Sequence, residues 1–332
     1  MKNKEEPLIT IAIPVKNKAS CIGLMLQSLY NQLYPKNRIQ LIFVDGFSTD
    51  GTYEEILNWV MQHKDEYFEI ITLRDKGNIP IARNLCLRYS KGDYVLFWDA
   101  DVIAPSMSIM TLLNHFIESS IGIVNLPYDV ENPNFIELIL KLEEPTKVSI
   151  VKAVPMGYTM IRKDLIKIVG YFNEKLEGFE DFEFCNRVRK AGFKIIMDPS
   201  IRLRHVKKAM SLSFFIKDNF LRRSRYVFML IKIGSKSHFI RVLYYSMLPL
   251  IFLISGLLVF FYWTAGIKLL FLALTYLFLT ILWHARKIRR NFLYGLLSPL
   301  IYIIGGITLA YGVLWYYLKE KLSEFSIKMH KL

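Results

Sequence analysis

Between Leu8 and Trp98, four short and mostly apolar runs alternate with three stretches of helical period, and this alternation constrains the fold more than any other feature. The runs are Leu8–Pro14, Gln40–Asp45, Phe68–Leu73 and Tyr94–Trp98. Runs this short, bounded by turn residues, read as buried strands. Between them, Ser20–Asn31 carries Ile22, Met25/Leu26 and Leu29 at helical spacing, with Ser20 as its cap. Thr52 and Glu55 form a capping box for a helix through Tyr53, Ile56, Leu57 and Val60. Ile79–Ser90 sets Ala82, Leu85, Cys86 and Tyr89 on one face. Strand and helix in alternation predict an α/β fold, a mostly parallel sheet with helices on both faces. In such sheets ligands sit at the carboxyl ends of the strands.

Those ends carry the polar chemistry. The first run leads through Pro14 to Asn17, the second ends at Asp45, and the fourth ends in Asp99-Ala-Asp101. A lone Asp at a strand end is often only a turn former. Two carboxylates two positions apart can hold a hard cation, with diphosphate oxygens completing the shell. Mg²⁺ and Mn²⁺ suit such oxygen sites.

The second half of the chain differs in kind. Of the 332 residues 53% are apolar, and the excess lies after Phe239. Leu243–Trp263 and Phe292–Leu318 are uncharged, and each reaches the roughly 20 residues that cross a bilayer as a helix. Ala265–Trp283 is interrupted only by Lys268, which can snorkel. Three C-terminal transmembrane helices are expected, a buried hairpin being the other reading of the middle segment. The net charge of +14 is gathered ahead of this region: Ile201–Arg241 holds eleven Lys and Arg and one acid, Asp218. A juxtamembrane basic collar attracts anionic headgroups by about 1 kcal/mol per residue, so a membrane rather than nucleic acid is the expected partner. Ser211–Ile233 mixes Phe214, Phe215, Phe220 and Leu221 with Arg222, Arg223 and Arg225, as in an interfacial helix or a basic surface helix.

Topology follows from charge. The basic loop Ala285–Arg290 is cytosolic by the positive-inside rule, which puts the N-terminal part in the cytosol as well. Three spans then leave the Lys-rich tail outside, against that rule. The short run Leu8–Val15 has no signal-peptide cleavage pattern. Cys21, Cys86 and Cys185 are odd in number and scattered, unlike a disulfide framework or a metal site. The expected division is 1–210 as a cytosolic domain, 211–240 as a juxtamembrane segment, and 241–332 as a membrane domain.

Three blocks resemble the family 2 glycosyltransferases of the GT-A fold: Ile11-Ala-Ile-Pro-Val-Lys-Asn17, Leu41 through Thr52, and Gly92 through Asp101. Asn31-Gln-Leu-Tyr-Pro35, Ala82-Arg-Asn84, Gly170-Tyr-Phe-Asn-Glu174, Glu180-Asp181 and Ala191-Gly-Phe193 are similar too, so the resemblance runs from Ile9 to His205. It implies a nucleotide-sugar donor, with contacts at Pro14, Asn17, Asp45, Arg83 and Asp99. Asp45 would meet the base and Asp99 the ribose or the metal. It implies Mg²⁺ or Mn²⁺ at Asp99 and Asp101, with His205 as a further ligand or as a structural histidine. Two departures matter. Gly46 stands where many relatives have a second acid, followed by Phe47 where a small residue is common, which bears on the base and ribose contacts. A Gln-x-x-Arg-Trp block is also missing, its nearest counterpart being Asn219-Phe-Leu-Arg222, and this argues against a processive polymer synthase.

The resemblance also implies single displacement with inversion. An acceptor hydroxyl then needs a carboxylate within hydrogen-bond reach, and Asp181 is the candidate base; as an alternative, Glu180 and Asp181 only complement a helix dipole. A base favours a hydroxyl acceptor on a lipid-linked saccharide or glycolipid. The competing acceptor is a polyprenyl phosphate, already an anion. A non-catalytic membrane scaffold is the third reading, and the retained Asp99, Asp101 and Asp181 speak against it.

Overall fold

Strand β1 (Ile9–Val15) and strand β2 (Ile39–Asp45) are buried along their whole length, as in a sheet covered on both faces. They pair in parallel, with β3 (Glu69–Arg74) beyond β2 and β4 (Tyr94–Trp98) on the other side of β1. The computed structural model describes residues 6–131, 133, 138, 141, 144–176, 178–206, 211–232, 240, 254, 267–272, 274, 275, 278, 304–320 and 322.

Seven further strands follow: β5 (Val102–Ile103), β6 (Ile121–Asn125), β7 (Tyr128–Val130), β8 (Ser149–Ile150), β9 (Tyr158–Arg162), β10 (Lys194–Met197) and β11 (Leu203–His205). The main sheet has eight strands in the order β3-β2-β1-β4-β9-β6-β10-β8. β9 runs antiparallel to both β4 and β6, a reversal inside the otherwise parallel centre. A second sheet of three strands, β5-β11-β7, flanks the exit of β4.

The side chains of β1 alternate between two cores. Ile9, Ile11 and Ile13, with Leu41, Phe43, Leu96 and Trp98, pack against α1 (Ile22–Tyr30), α2 (Thr52–His63) and α4 (Ser108–Leu113). Ala12, Ile42, Val44, Val95 and Phe97 pack against α3 (Ile79–Tyr89), α5 (Leu165–Val169) and α6 (Glu180–Lys190). Period-2 alternation in a central strand thus places helices on both faces, as expected.

Two expected caps are replaced. Ser20 does not cap α1, whose N-cap is Cys21 without a side-chain bond. The Thr52–Glu55 box does not form, because a nearer acid competes. Thr52 Oγ1 donates to Asp50 Oδ1 at 2.5 Å and accepts from Lys18 N at 2.7 Å. Asp50 Oδ2 also accepts from Ala19 N at 3.1 Å, so this turn ties the loop after β1 to the loop after β2.

By contact density the chain divides into two units, Met1–Asn132 with Pro145–Ala209, and Pro133–Glu144 with Met210–Leu332. In the second, helix α7 (Leu212–Asp218) passes through a π turn (Asn219–Arg223) into α8 (Ser224–Lys232). Ser211 caps α7 through Phe214 N at 3.1 Å. Val227 packs with Leu309 and Val313 of helix α9 (304–320), and Tyr316 Oη donates to Leu221 O at 2.9 Å. Leu212, Phe214 and Leu221 are exposed. Among the described residues no helix is long and apolar enough to cross a membrane. Of the expected spans, all of 243–263 but residue 254, about half of 265–283, and 292–303 of the third lie outside the described residues.

At the amino end of the sheet, buried Thr10 Oγ1 donates to Gln40 Oε1 at 2.6 Å and accepts from Gly92 N at 3.0 Å. A Cβ on Gly92 would lie 2.5 Å from Thr10 N and 2.8 Å from Leu8 O, both fixed backbone atoms. Gly92→Ala is expected to destabilise this unit by about 1–3 kcal/mol. A chemical-denaturation midpoint unchanged from wild type would contradict that packing.

Candidate active site

The exits of β1, β2 and β4 meet at one edge of the sheet, where ligands bind in such folds. Asp99 N donates to Gly157 O at 2.8 Å, and Val206 N donates to Asp101 O at 2.8 Å. The Asp99-Ala-Asp101 turn is thereby held between the approach to β9 and the end of β11. Pairing of His205 with Val102 then sets the imidazole beside Asp101.

Asp101 is doubly partnered. Its Oδ1 lies 3.0 Å from His205 Nε2, and its Oδ2 accepts from Lys18 Nζ at 2.6 Å. Burial alone would raise its pKa. The hydrogen bonds and charges of His205 and then Lys18 outweigh burial and hold the carboxyl well below the ordinary carboxylate range. Burial would likewise lower the pKa of Lys18, but the contact with Asp101 outweighs it and raises the value.

A second cluster stands beside the first. Arg83 of α3 donates through Nη1 to Glu180 Oε1 at 2.6 Å, and its Nη2 lies 3.8 Å from Asp99 Oδ1. Desolvation raises the pKa of Asp99, Arg83 pulls it down, and Asp101 pushes it up. Asp181, half-buried at the first turn of α6, is pushed up to about 7, by desolvation first and then by the charge of Glu180. Phe179, just before α6, holds φ at 62°. Non-glycine residues in that region mark strained backbone, which collects at functional sites; Asn17 and Phe47 are the other two among the described residues.

The third group surrounds Asp45, which is fully buried. Its oxygens accept from Ser48 N at 3.1 and 3.2 Å and from Arg74 Nε at 3.0 Å. The Arg74 guanidinium lies over two rings, 4.6 Å from Phe47 and 4.4 Å from Tyr53. Phe47, at the position where a small residue was expected, therefore stacks on a cation and faces outward. Asn17 Oδ1 accepts from Thr49 N at 3.0 Å, and Asn17 N donates to Ser48 Oγ at 2.9 Å, which locks the two loops together. Pro14 is buried in β1, and its missing N–H falls beyond the last pairing with β4, at Ala12.

The sequence singled out Pro14, Asn17, Asp45, Arg83, Asp99, Asp101, Asp181 and His205. All lie in the first unit, at or near this edge. Lys18, Arg74 and the role of Glu180 were missed, though Arg74 is the in-register neighbour of Asp45 at the end of β3. The three expected metal ligands, Asp99, Asp101 and His205, lie at this edge. Asp101 and His205 meet, but Asp99 stands beside Arg83. Among the described residues no three His, Cys, Asp or Glu side chains gather to hold a metal ion. Lys18 and His205 occupy both oxygens of Asp101. The donor set itself fits a divalent ion, with two carboxylates and an imidazole whose buried Nδ1 has no hydrogen-bond partner. Room beside Asp99 is kept by Gly157, where a Cβ would lie 3.0 Å from Asp99 Oδ2.

A separate hollow opens at the opposite edge, among Lys91, Asp93, Arg162, Lys163 and Tyr171. Two of its cations are committed, Lys91 to Glu69 and Arg162 to the carbonyls of Phe116, Glu118 and Ile121.

Comparison with known proteins agrees with this geometry. The model of the family "Glycosyl transferase family 2" matches residues 10–172. The poly(ribitol-phosphate) beta-glucosyltransferase of Bacillus spizizenii is 35% identical over 109 residues, 32% of this chain and 17% of that protein. Glycosyltransferase AglE of Haloferax volcanii is 24% identical over 199 residues, 57% of this chain and 64% of that protein. The chain thus spans less than two thirds of the length of either relative. The fold is similar to that of the mannosyltransferase PcManGT from Pyrobaculum calidifontis, solved with GDP-Man and Mn²⁺: TM-score 0.62, 17% identity, covering 94% of this chain and 88% of that one.

The raised pKa of Asp181 makes a prediction about stability. Its folded value, about 7, lies above the ordinary 3.8. The folded protein therefore binds more protons between these values, and stability falls as pH rises through that window. Asp181→Asn, neutral throughout, is expected to melt progressively higher relative to wild type from about pH 4 to about pH 7 and to level off above. A melting difference independent of pH would contradict the raised value.

Proposed function

We propose that this chain is a membrane-associated, metal-dependent inverting glycosyltransferase that moves a sugar from a nucleotide-diphosphate sugar to a hydroxyl of a lipid-linked saccharide or glycolipid. The observation that carries the proposal is the meeting of Asp45, Asp99 and Asp101 at one sheet edge beside a half-buried acid, Asp181, pushed up to about 7.

A base works best when its pKa lies near the working pH. Asp181 takes the proton of the acceptor hydroxyl as the oxygen attacks the anomeric carbon from the side opposite the leaving diphosphate. Asp45, with Arg74 and the exposed ring of Phe47, forms the side of the site for the base of the nucleotide. Pro14 and Asn17 shape the loop beside it. Arg83 links Asp99 to the acid pair through Glu180. Asp99, Asp101 and His205 are the residues that would hold Mn²⁺ or Mg²⁺. Such an ion would stabilise the charge gathering on the departing diphosphate. Without it, Lys18 is the cation that Asp101 keeps.

The similar mannosyltransferase was solved with GDP-Man and Mn²⁺, which supports a donor and metal of this class. The Bacillus spizizenii relative is named a poly(ribitol-phosphate) beta-glucosyltransferase, and ribitol offers hydroxyls as acceptors, which supports a hydroxyl here. Membrane association, with the first unit cytosolic, rests on the basic stretch Ile201–Arg241 ahead of the apolar region.

The test is transfer of radiolabelled sugar by the full chain in lipid, with Mn²⁺ and UDP-GlcNAc, GDP-mannose or a dTDP-hexose. The expected product is a lipid-extractable glycan, absent with Asp101→Ala and reduced about 10²-fold or more with Asp181→Asn. Label released by mild acid from a single-sugar lipid, with Asp181→Asn still active, would instead establish a polyprenyl phosphate acceptor and remove the role of the base.

A further inference from the structure

Arg83 is 5% exposed, and its guanidinium is shared between acids from two other elements, Glu180 at the start of α6 and Asp99 at the end of β4. Its Cζ lies 5.7 Å from the ring of Phe172 and 6.0 Å from that of Phe97. Its buried Nε has no hydrogen-bond partner among the described residues. A buried arginine with one donor unsatisfied is a poor device for stability, since desolvation offsets much of the pairing. Its position between the two acid groups is the more informative feature.

We infer that Arg83 is a positioning residue that pairs with Glu180 and thereby leaves Asp181 as the member of the acid pair free to take a proton. Two adjacent carboxylates do not ionise independently, because each charge opposes the other. The guanidinium decides the contest through geometry, since it reaches Glu180 at 2.6 Å and no ion pair to Asp181 is present among the described residues. The charged and titratable groups facing Asp181 are Glu180 on its own helix, Arg83 from α3 and Cys185 one turn on. Asp99 stands beyond Arg83. Arg83 also acts on the pair from a fixed place. Its neighbour Asn84 grips the segment before α6, donating to Phe172 O at 3.0 Å and Glu174 Oε1 at 2.9 Å and accepting from Phe172 N at 2.9 Å. For catalysis the inference rests on the proposed reading of Asp181 as the base.

The experiment is a set of thermal melts of the full chain in lipid nanodiscs, from about pH 5 to about pH 9. Wild type, Glu180→Gln, Arg83→Met and Arg83→Lys are each compared with and without Asp181→Asn. The melting difference made by Asp181→Asn grows with pH until Asp181 of the folded protein is ionised, and the pH at which its slope has fallen to half, taken as its midpoint, reports the pKa of Asp181 in each background. Glu180→Gln removes the like charge and is expected to lower the midpoint by about one unit or more. Arg83→Met removes the opposing cation and is expected to raise it by a similar amount, with Arg83→Lys returning it towards wild type. Midpoints within about 0.3 unit of wild type in both Glu180→Gln and Arg83→Met would overturn the inference. Should Arg83→Met fail to fold, Glu180→Gln decides alone. Sugar transfer by the same proteins separates this claim from the reading it rests on. An unmoved midpoint with Asp181→Asn inactive overturns the role of Arg83 and leaves the base. A moved midpoint with Asp181→Asn fully active supports control of the charge by Arg83 and overturns the base.

Discussion

Parallel pairing of β1 with β2 and β4 is the constraint on which the rest of the site depends. It brings the strand exits to one edge and so collects Asp45, Asp99 and Asp101 there. Carboxylates brought together out of water repel one another and lose hydration, so each needs a partner. The chain supplies them from other elements: Arg74 for Asp45, Lys18 and His205 for Asp101, and Arg83 for Glu180 and Asp99. Asp181 has no ion pair among the described residues, and its pKa is pushed up to about 7. One arrangement of charges thus produces both a stable edge and a group able to exchange a proton near neutral pH.

Local pattern made much of this legible. Continuous apolar runs marked β1, β2 and β4, and an acid at the end of a strand marked the functional edge, because both are properties of adjacent residues. The reversed strand β9 was not foreseen, since an antiparallel insertion leaves no signature in the period of neighbouring segments. Lys18 was missed for a similar reason: it pairs with Asp101, 83 positions later. Arg74 follows from register alone once β2 and β3 are paired, yet register is a property of the fold and not of either strand. The Thr52–Glu55 box failed because Asp50, two residues closer in sequence to the turn, captured the Thr52 hydroxyl.

The second unit shows a different kind of order. Its basic, aromatic helix was legible from composition, while the π turn at Asn219–Arg223 was not. That turn lies where Gly312 of α9 lets the backbones come close: a Cβ at Gly312 would meet Phe220 O, with Ser224 Oγ 2.5 Å away. The apolar run around 292–318 was read as a span; of it the described part, from 304, belongs to a helix packed through Leu309 and Val313 against Val227. Exposed Leu212, Phe214 and Leu221 beside Arg222 remain consistent with a surface that meets lipid headgroups.

In the proposed function Asp101 is a cation site, with Lys18 as its cation when no metal is bound. Its most direct measurement is Mn²⁺ binding to the full chain, followed by electron paramagnetic resonance of the free ion and compared among wild type, Lys18→Met and Asp101→Asn. Removal of the lysine charge is expected to tighten binding about 10-fold, and Asp101→Asn to weaken it by about 10-fold or more. Equal Mn²⁺ affinity in wild type and Asp101→Asn would contradict the claim.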